Sequence, residues 1–349
     1  MPTNNSINSN IPIEVTKGGT GIATVAQGDI LYGSAANTIS ALTKNTTATR
    51  YLANTGTSNN PAWDQVNMAN GVTGTLPVGN GGTGSTTFNI NGPVISSTTT
   101  TGALTAVTLA NQEFLVGNTS AAPTKKTLKT VLSFYNASGT YTHTFQTGMI
   151  FAFCEVQGSG GGGGGCASNA GATLSCGGGG GGGSYTASYL TAATLGASQT
   201  VTVGAGGTAG ANTGGNGGNG GATSLGTLLV VNGGLGGTGG AATANAVSRA
   251  GGVGSTIPTG GQMFSFGQGG APGFSTYTSS TNYIVTGGAG GNSRTSGGGQ
   301  MVFGNSGGNS GGAYGAGGGG ASGTASGGGG LAGGAGSQGT VTITEFILS

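Results

Sequence analysis

Residues able to carry acid–base or nucleophilic chemistry are few in this chain and lie far apart. The 349 residues include one histidine, three cysteines and six acids. A Ser-His-Asp relay would need His143 as its base, and no nucleophile motif accompanies it. His143 alternates with Tyr141 and Phe145, which reads as a strand histidine at a junction. Glycoside hydrolysis needs two carboxyl groups about 5–9.5 Å apart. Asp29, Asp64 and Glu113 are isolated from one another in the sequence, although a trimer could bring copies of them together. Between Glu155 and Glu345 there is no acid at all.

Cys154, Cys166 and Cys176 are odd in number, so intrachain pairing cannot be complete. Their spacing fits no zinc pattern, and no histidine stands near them. They read as free thiols of a protein made in a reducing cytoplasm. A Cys166–Cys176 disulfide is the alternative, and it requires a Cα separation under about 7 Å. Glycine runs match the dinucleotide fingerprint G-x-G-x-x-G, but no helix and no acid about 20 residues on follow them. The expectation is therefore no enzyme, no cofactor and no metal site.

What dominates instead is glycine. Residues 158–339 hold 68 of the 85 glycines, and Arg249 and Arg294 are their only charged groups. Such a stretch is poorly equipped for catalysis and suited to building a surface. Glycine loses more backbone entropy on ordering than any other residue, so composition alone favours disorder. Two features oppose that. Gly214-Gly215-Asn216-Gly217-Gly218-Asn219 and Gly233-Gly234-Leu235-Gly236-Gly237-Thr238 repeat with a period of three. This is the period of the polyproline II helix, which makes no internal hydrogen bonds. Two of its three edges would be bare for neighbouring helices to approach, with the third residue left on the last edge. Eight prolines are too few for collagen.

The second feature is the set of strand-like segments around the tracts. Apolar and β-branched residues mark 150–156 and 341–348 at the two ends, and 184–190, 199–203 and 225–231 between them. The fold class expected is mostly β. It has a small β-sheet base made from both ends of the region, packed polyproline/polyglycine II helices projecting from it, and no significant α-helix. Residues 16–133 differ, being rich in Thr, Asn, Ala and Ser with imperfect repeats. Gln27-Gly28-Asp29-Ile30-Leu31-Tyr32 is echoed by Asn111-Gln112-Glu113-Phe114-Leu115-Val116. Repeats too thin for a core of their own stack or associate with copies of themselves. A fibrous shaft of short strands, paired between chains in a homotrimer, is expected there.

Only 4% of residues are charged and the net charge is +2, which gives no reason to expect nucleic-acid binding. No apolar run reaches about 20 residues, so no membrane insertion is expected. Met1 to Asn10 is polar and does not read as a secretory signal peptide.

Several motifs together resemble bacteriophage tail fibres. Tyr51-Leu52-Ala53-Asn54-Thr55-Gly56, Pro61-Ala62-Trp63, and Gly71-Val72-Thr73-Gly74-Thr75-Leu76-Pro77-Val78 running into Gly81-Gly82-Thr83-Gly84 look like their repeat modules. Val156-Gln157-Gly158 entering a glycine run, Gly177 to Gly183 before Tyr185, and the closing Gly339-Thr340-Val341-Thr342-Ile343 resemble the glycine-rich domain that ends many such fibres. The resemblance implies a receptor-binding protein located in the virion tail and made in the host cytoplasm. It implies residues 1–15 as an attachment segment, 16–133 as the trimeric shaft and 134–349 as a distal adhesin. Its implied partners are other tail or baseplate proteins and a host-surface receptor, either an outer-membrane protein or a polysaccharide. A structural fibre or collar protein presenting another adhesin is the rival reading. Ice binding is disfavoured, because Asn216, Asn219, Leu235 and Thr238 at the third positions are mixed.

If the tracts form rods, their interruptions form loops. Four stand out, 241–250, 255–266, 271–286 and 292–303. They carry the candidate receptor contacts Arg249, Phe264, Phe266, Phe274, Tyr277, Tyr283, Arg294 and Phe303, with Met263 beside them. Aromatic residues and arginine are enriched in binding hot spots.

Overall fold

A computed structural model of the chain describes residues 12–47, 49–54, 60–66, 73–74, 76, 82–83, 92–95, 104–117, 122–279, 282–325 and 329–349. The chain divides into two compact units, residues 1–109 with 117–123, and residues 110–116 with 124–349.

The first unit consists of two-stranded antiparallel ladders. β1 (Ile30–Ala35) pairs with β2 (Thr38–Leu42), β3 (Tyr51–Ala53) with β4 (Ala62–Asp64), and β5 (Val94–Ile95) with β6 (Thr105–Ala106). Among the described residues of this unit none is buried. Leu31, Tyr51 and Leu52 remain 40%, 56% and 51% exposed. The ladders thus have apolar side chains and, among the described residues of this unit, no core that buries them.

The second unit contains β7 (Glu113–Val116), β8 (Thr124–Tyr135), β9 (Gly139–Thr144), β10 (Met149–Gln157), β11 (Ser175–Cys176), β12 (Tyr185–Thr191), the one-turn helix α1 (Ala192–Leu195), β13 (Ser198–Val203), β14 (Thr223–Leu225), β15 (Leu229–Val231), β16 (Val247–Arg249), β17 (Met263–Ser265), β18 (Gly273–Ser279), β19 (Asn282–Gly287), β20 (Val302–Phe303), β21 (Ser322–Gly323) and β22 (Thr340–Leu348). The base is a sandwich. A six-stranded antiparallel sheet, β17-β12-β10-β22-β8-β7, packs against a four-stranded one, β15-β14-β13-β9. Period-two alternation turns Ala152, Cys154 and Val156 of β10 and Val341 and Ile343 of β22 onto Val201, Val203, Leu225, Leu229 and Val231. Residues 225–231, read from sequence as one strand, form a hairpin turn instead. Gly226 takes a left-handed φ of 52° and folds β14 back onto β15.

The glycine tracts form parallel and antiparallel extended rods joined by backbone hydrogen bonds. In the rod 158–165, amides turn to a different neighbour at each step. Gly160 and Gly163 donate to Ser337 and Gly334, Gly161 and Gly164 to Gly181 and Gly178, and Gly162 and Gly165 to Gly218 and Gly215, all at 2.8–2.9 Å. Its carbonyls accept from three further rods, 204–210, 233–240 and 315–321. One rod therefore has six neighbours. The rod 177–183 is built the same way and is one of those six. This is the packing that a three-residue period without internal hydrogen bonds requires.

Glycine is needed here for space. A Cβ on Gly160 or Gly163 would overlap the carbonyl oxygen of Ala316 or Gly319; on Gly161 or Gly164, that of Leu235 or Thr238; on Gly162 or Gly165, that of Thr208 or Ala211. Small side chains are buried at a few rod positions, Ser159, Ala316 and Ala321 among them, and some outward ones act on the lattice. Asn219 and Asn216 accept from the amides of Gly236 and Gly239 at 2.9 and 2.8 Å, and Asn292 from Gly298 at 2.8 Å. They supply the acceptor that a further rod would otherwise provide. Gln157 closes the base end by donating to the carbonyls of Gly158, Gly183 and Ser184.

Gly163→Ala should lower stability by about 3 kcal/mol or prevent folding, because backbone on every side blocks relief of the overlap. Gly269→Ala should stay within about 0.5 kcal/mol, since its added Cβ would meet only ordinary contacts. Thermal unfolding of the two variants beside the parent chain checks this.

Candidate functional site

The hydrogen-bond register fixes the direction of each rod and so sorts the loops between two ends. The chain leaves the base at Gln157, reaches the far end at Cys166 and returns along 177–183 into β12. Following the rods onward, 241–249, 272–286 and 301–306 close at the far end. Segments 256–266, 293–296 and 313–314 close at the base. A rod of eight residues spans roughly 25 Å. The sequence-predicted contacts therefore fall into two groups about that far apart.

At the far end, β16-β18-β19-β20 form a four-stranded antiparallel sheet. Its underside rests on the lattice through Ser275, Val285 and Val302, which are buried. The register places Ser248, Phe274, Thr286 and Phe303 in one row across the four strands on the opposite face. Thr276 and Ile284 form the next row of that face. Phe274, Ile284 and Phe303 are 45%, 58% and 68% exposed, and Met301 beside them 43%. The result is a neutral, aromatic and aliphatic face on a rigid support.

Of the candidates at this end, Phe274 and Phe303 share that face. Tyr283 is half-buried and, by alternation with Ile284, belongs to the underside. Tyr277 sits opposite Tyr283 in the register, and its side chain lies outside the described residues. Arg249 is turned beneath the sheet, half-buried, with its Nε buried and without a hydrogen-bond partner. Its charge acts on the Cys176 thiol below it. Ile284 and Met301 were missed. The Ile284-Val285-Thr286 alternation across from Phe274-Ser275-Thr276 is the signal that could have found Ile284.

Phe264, Phe266 and Arg294 lie at the base. Phe264 on β17 and Phe266 beside it make an edge-to-face pair at 5.7 Å and are both more than half exposed. The Arg294 guanidinium stacks on the Tyr185 ring at 4.4 Å, and Tyr185 donates to Glu155 Oε1 at 2.6 Å. Arg294 thus pins the 293–296 turn to the base sheet. Burial, with help from Glu155, pushes the Tyr185 hydroxyl pKa well up. A second concave surface lies on the lattice flank. It is a groove of about 350 Å³ lined by Leu235 and Val253 with Asn232, Ser255 and Thr256.

The groups able to do proton chemistry are committed to structure. His143 Nε2 lies 3.1 Å from Glu345 Oε1, and its Nδ1 lies 2.9 Å from the Tyr135 hydroxyl. Glu345 also accepts from the Gln146 amide at 2.8 Å. His143 is 5% and Glu345 1% exposed, so this relay is sealed inside the base sandwich and tethers β8, β9 and β22 together. Asp29 and Glu113 act as turn caps at equivalent places in the sequence repeat. Asp29 accepts from the Ala26 amide and Glu113 from the Ala110 amide, while Gly28 and Gln112 before them are left-handed, with φ 93° and 68°. The Ala110 amide, with Lys125 at 3.5 Å, holds the Glu113 carboxyl below its ordinary range. All three cysteines are free and buried. Burial, reinforced by Glu345, pushes the Cys154 thiol up to about 12, and burial raises Cys166 and Cys176 as well. Among the described residues no three His, Cys, Asp or Glu side chains converge to hold a metal ion. No helix among them is long and apolar enough to cross a membrane.

A sequence-family profile described as a glycine-rich domain matches residues 136–344, well over half of the chain. The chain belongs to this glycine-rich domain family. No curated protein matches the chain in sequence. The family match covers β9 to β22, and so the whole rod lattice of the glycine-rich domain and most of its sheet base.

Glu345→Ala should cost about 3 kcal/mol by leaving His143 without its buried partner. The thiols bear on pH. Their folded pKa values lie above the ordinary 9.0, so the neutral-thiol contribution is complete below pH 9 and is lost as pH rises, for Cys154 toward about 12. Melting temperature should therefore fall across that window. Native protein at pH 8 should resist N-ethylmaleimide, whereas denatured protein should take up three equivalents, read by mass spectrometry.

Proposed function

We propose that this chain is a bacteriophage tail-fibre or receptor-binding protein whose glycine-rich domain adsorbs the virion to its bacterial host. The observation that carries the proposal is the exposed row of Phe274 and Phe303 with Ile284, held on a cross-linked rod lattice at the end opposite the sheet base. Contiguous exposed aromatic and aliphatic side chains on a rigid support are what an adhesive surface needs. Recognition there rests on stacking, shape and hydrogen bonds, because Arg249, the charged group nearest this face, is turned under it. The repeat modules quoted above, and the lack of any buried residue among those described in the first unit, support a shaft that gains its burial between copies in a homotrimer. The N-terminal region would join it to other tail or baseplate proteins. The activity is binding, without catalysis and without a cofactor.

The full-length chain, added to host cells before phage, should bind saturably and block infection. Phe274→Ser combined with Phe303→Ser should weaken that block at least ten-fold without changing the melting temperature, since both side chains are solvent-facing. Binding should persist at 0.5 M salt. A folded full-length chain that neither binds cells nor blocks infection would move the assignment to a structural fibre presenting another adhesin.

A further inference from the structure

The base sheet has one face on the sandwich core and one open face. On the open face the register aligns Leu132, Thr344, Phe153 and Tyr189 in one row. Thr130, Phe346, Phe151 and Thr191 form the next. Phe134, Thr342, Glu155 and Ala187 form a third, which is covered at its β12 end, where Ala187 is buried. Phe151 stacks on Phe346 at 4.5 Å and Phe153 leans on Tyr189 at 4.7 Å, so the aromatics run as a continuous band across β10, β12 and β22. Leu128, Leu132, Phe134 and Tyr189 are 49%, 67%, 50% and 56% exposed. No charged side chain lies in the first two rows, and Glu155 in the third is bonded to Tyr185.

We infer that copies of this chain associate through this open face of the base sheet. The inference rests on reading the protein as a homo-oligomer and adds a second contact region to the shaft. Three observations select a second copy as the occupant. First, the face carries both halves of a fit. Leu132 protrudes from β8, with the half-exposed Phe134 beside it held edge-on against Tyr314, and a hollow of about 360 Å³ lined by Phe151, Tyr189, Leu190 and Thr191 lies on the β12 side. The two features are three strand spacings apart, roughly 14 Å, so protrusions of one copy can enter the hollow of the next. Second, the exposed apolar area is on the order of 600 Å², at the top of what a monomer leaves open and near the roughly 800 Å² per partner of a standard interface. Third, no described residue of the first unit is buried, so association of copies there would raise the local concentration of this face.

The test combines the mass of the full-length chain in solution with hydroxyl-radical footprinting of its side chains. The expected result is an oligomer in which Phe134 and Tyr189 are modified at least ten-fold more slowly than Phe303. Leu132→Glu combined with Tyr189→Glu, both at solvent-facing positions, should bring Phe134 up to the rate of Phe303 while far-UV circular dichroism stays unchanged. An oligomer whose Phe134 and Tyr189 react as fast as Phe303 overturns the inference and leaves homo-oligomerisation through the shaft standing. A monomer overturns both. Protection of the face in a monomer also overturns the inference, because the cover is then a segment of the same chain.

Discussion

The structure depends on hydrogen bonds between backbones that carry no side chains. An extended rod cannot satisfy its own amides, so every buried amide in the tracts must find a carbonyl on another rod. Three donor directions and three acceptor directions per turn give the rod 158–165 six neighbours. That number is possible only where the neighbours approach to backbone contact, which is why a Cβ on any of Gly160 to Gly165 would collide with a carbonyl. The glycine content thus follows from the packing geometry. The scarcity of charge follows too, since positions with no room for a methyl group, as at Gly160 to Gly165, have none for a solvated carboxylate.

Sequence carried much of this and failed in identifiable places. The period of three and the bracketing strands at 150–156 and 341–348 were enough for rods on a β base. What sequence could not supply was direction. Phe264 and Phe274 sit in similar loops between similar tracts, yet one loop joins rods at the base and the other at the far end, and only the hydrogen-bond register separates them. Asn216 and Asn219 read as variable third positions, whereas they accept amides at the lattice edge. His143 and Glu345, 202 residues apart, meet because β9 and β22 belong to facing sheets of one sandwich. Hairpin 225–231 was hidden by its apolar composition, with Gly226 the cue to its turn.

The few ionisable groups have structural tasks. Glu345 is spent on His143, Glu155 on Tyr185, Arg294 on the Tyr185 ring, and Asp29 and Glu113 on turn amides. Arg249 faces inward beneath its sheet. Large apolar side chains stay exposed at several places, Phe264 and Phe266 among them; two of these surfaces are the far-end row of Phe274 and Phe303 and the open face of the base sheet. One lattice holds them about 25 Å apart, so each can be changed without disturbing the other.

The same lattice bears on the proposal that recognition resides at the far end. The rods 267–271 and 287–292 are hydrogen-bonded neighbours, Gln268 to Asn292 and Ala271 to Ala289. The β18–β19 hairpin between them therefore closes a gap already fixed by the rods. Lengthening such a loop costs only about 0.6 kcal/mol per doubling, while its register with the lattice is untouched. At the base the strands β10 and β22 belong to the sandwich, where an insertion would shift the alternation that buries Val156 or Ile343, whereas the turns 293–296 and 313–314 lie outside its strands. Tolerance of change is thus built into the turns that join rods and withheld from the strands of the sandwich.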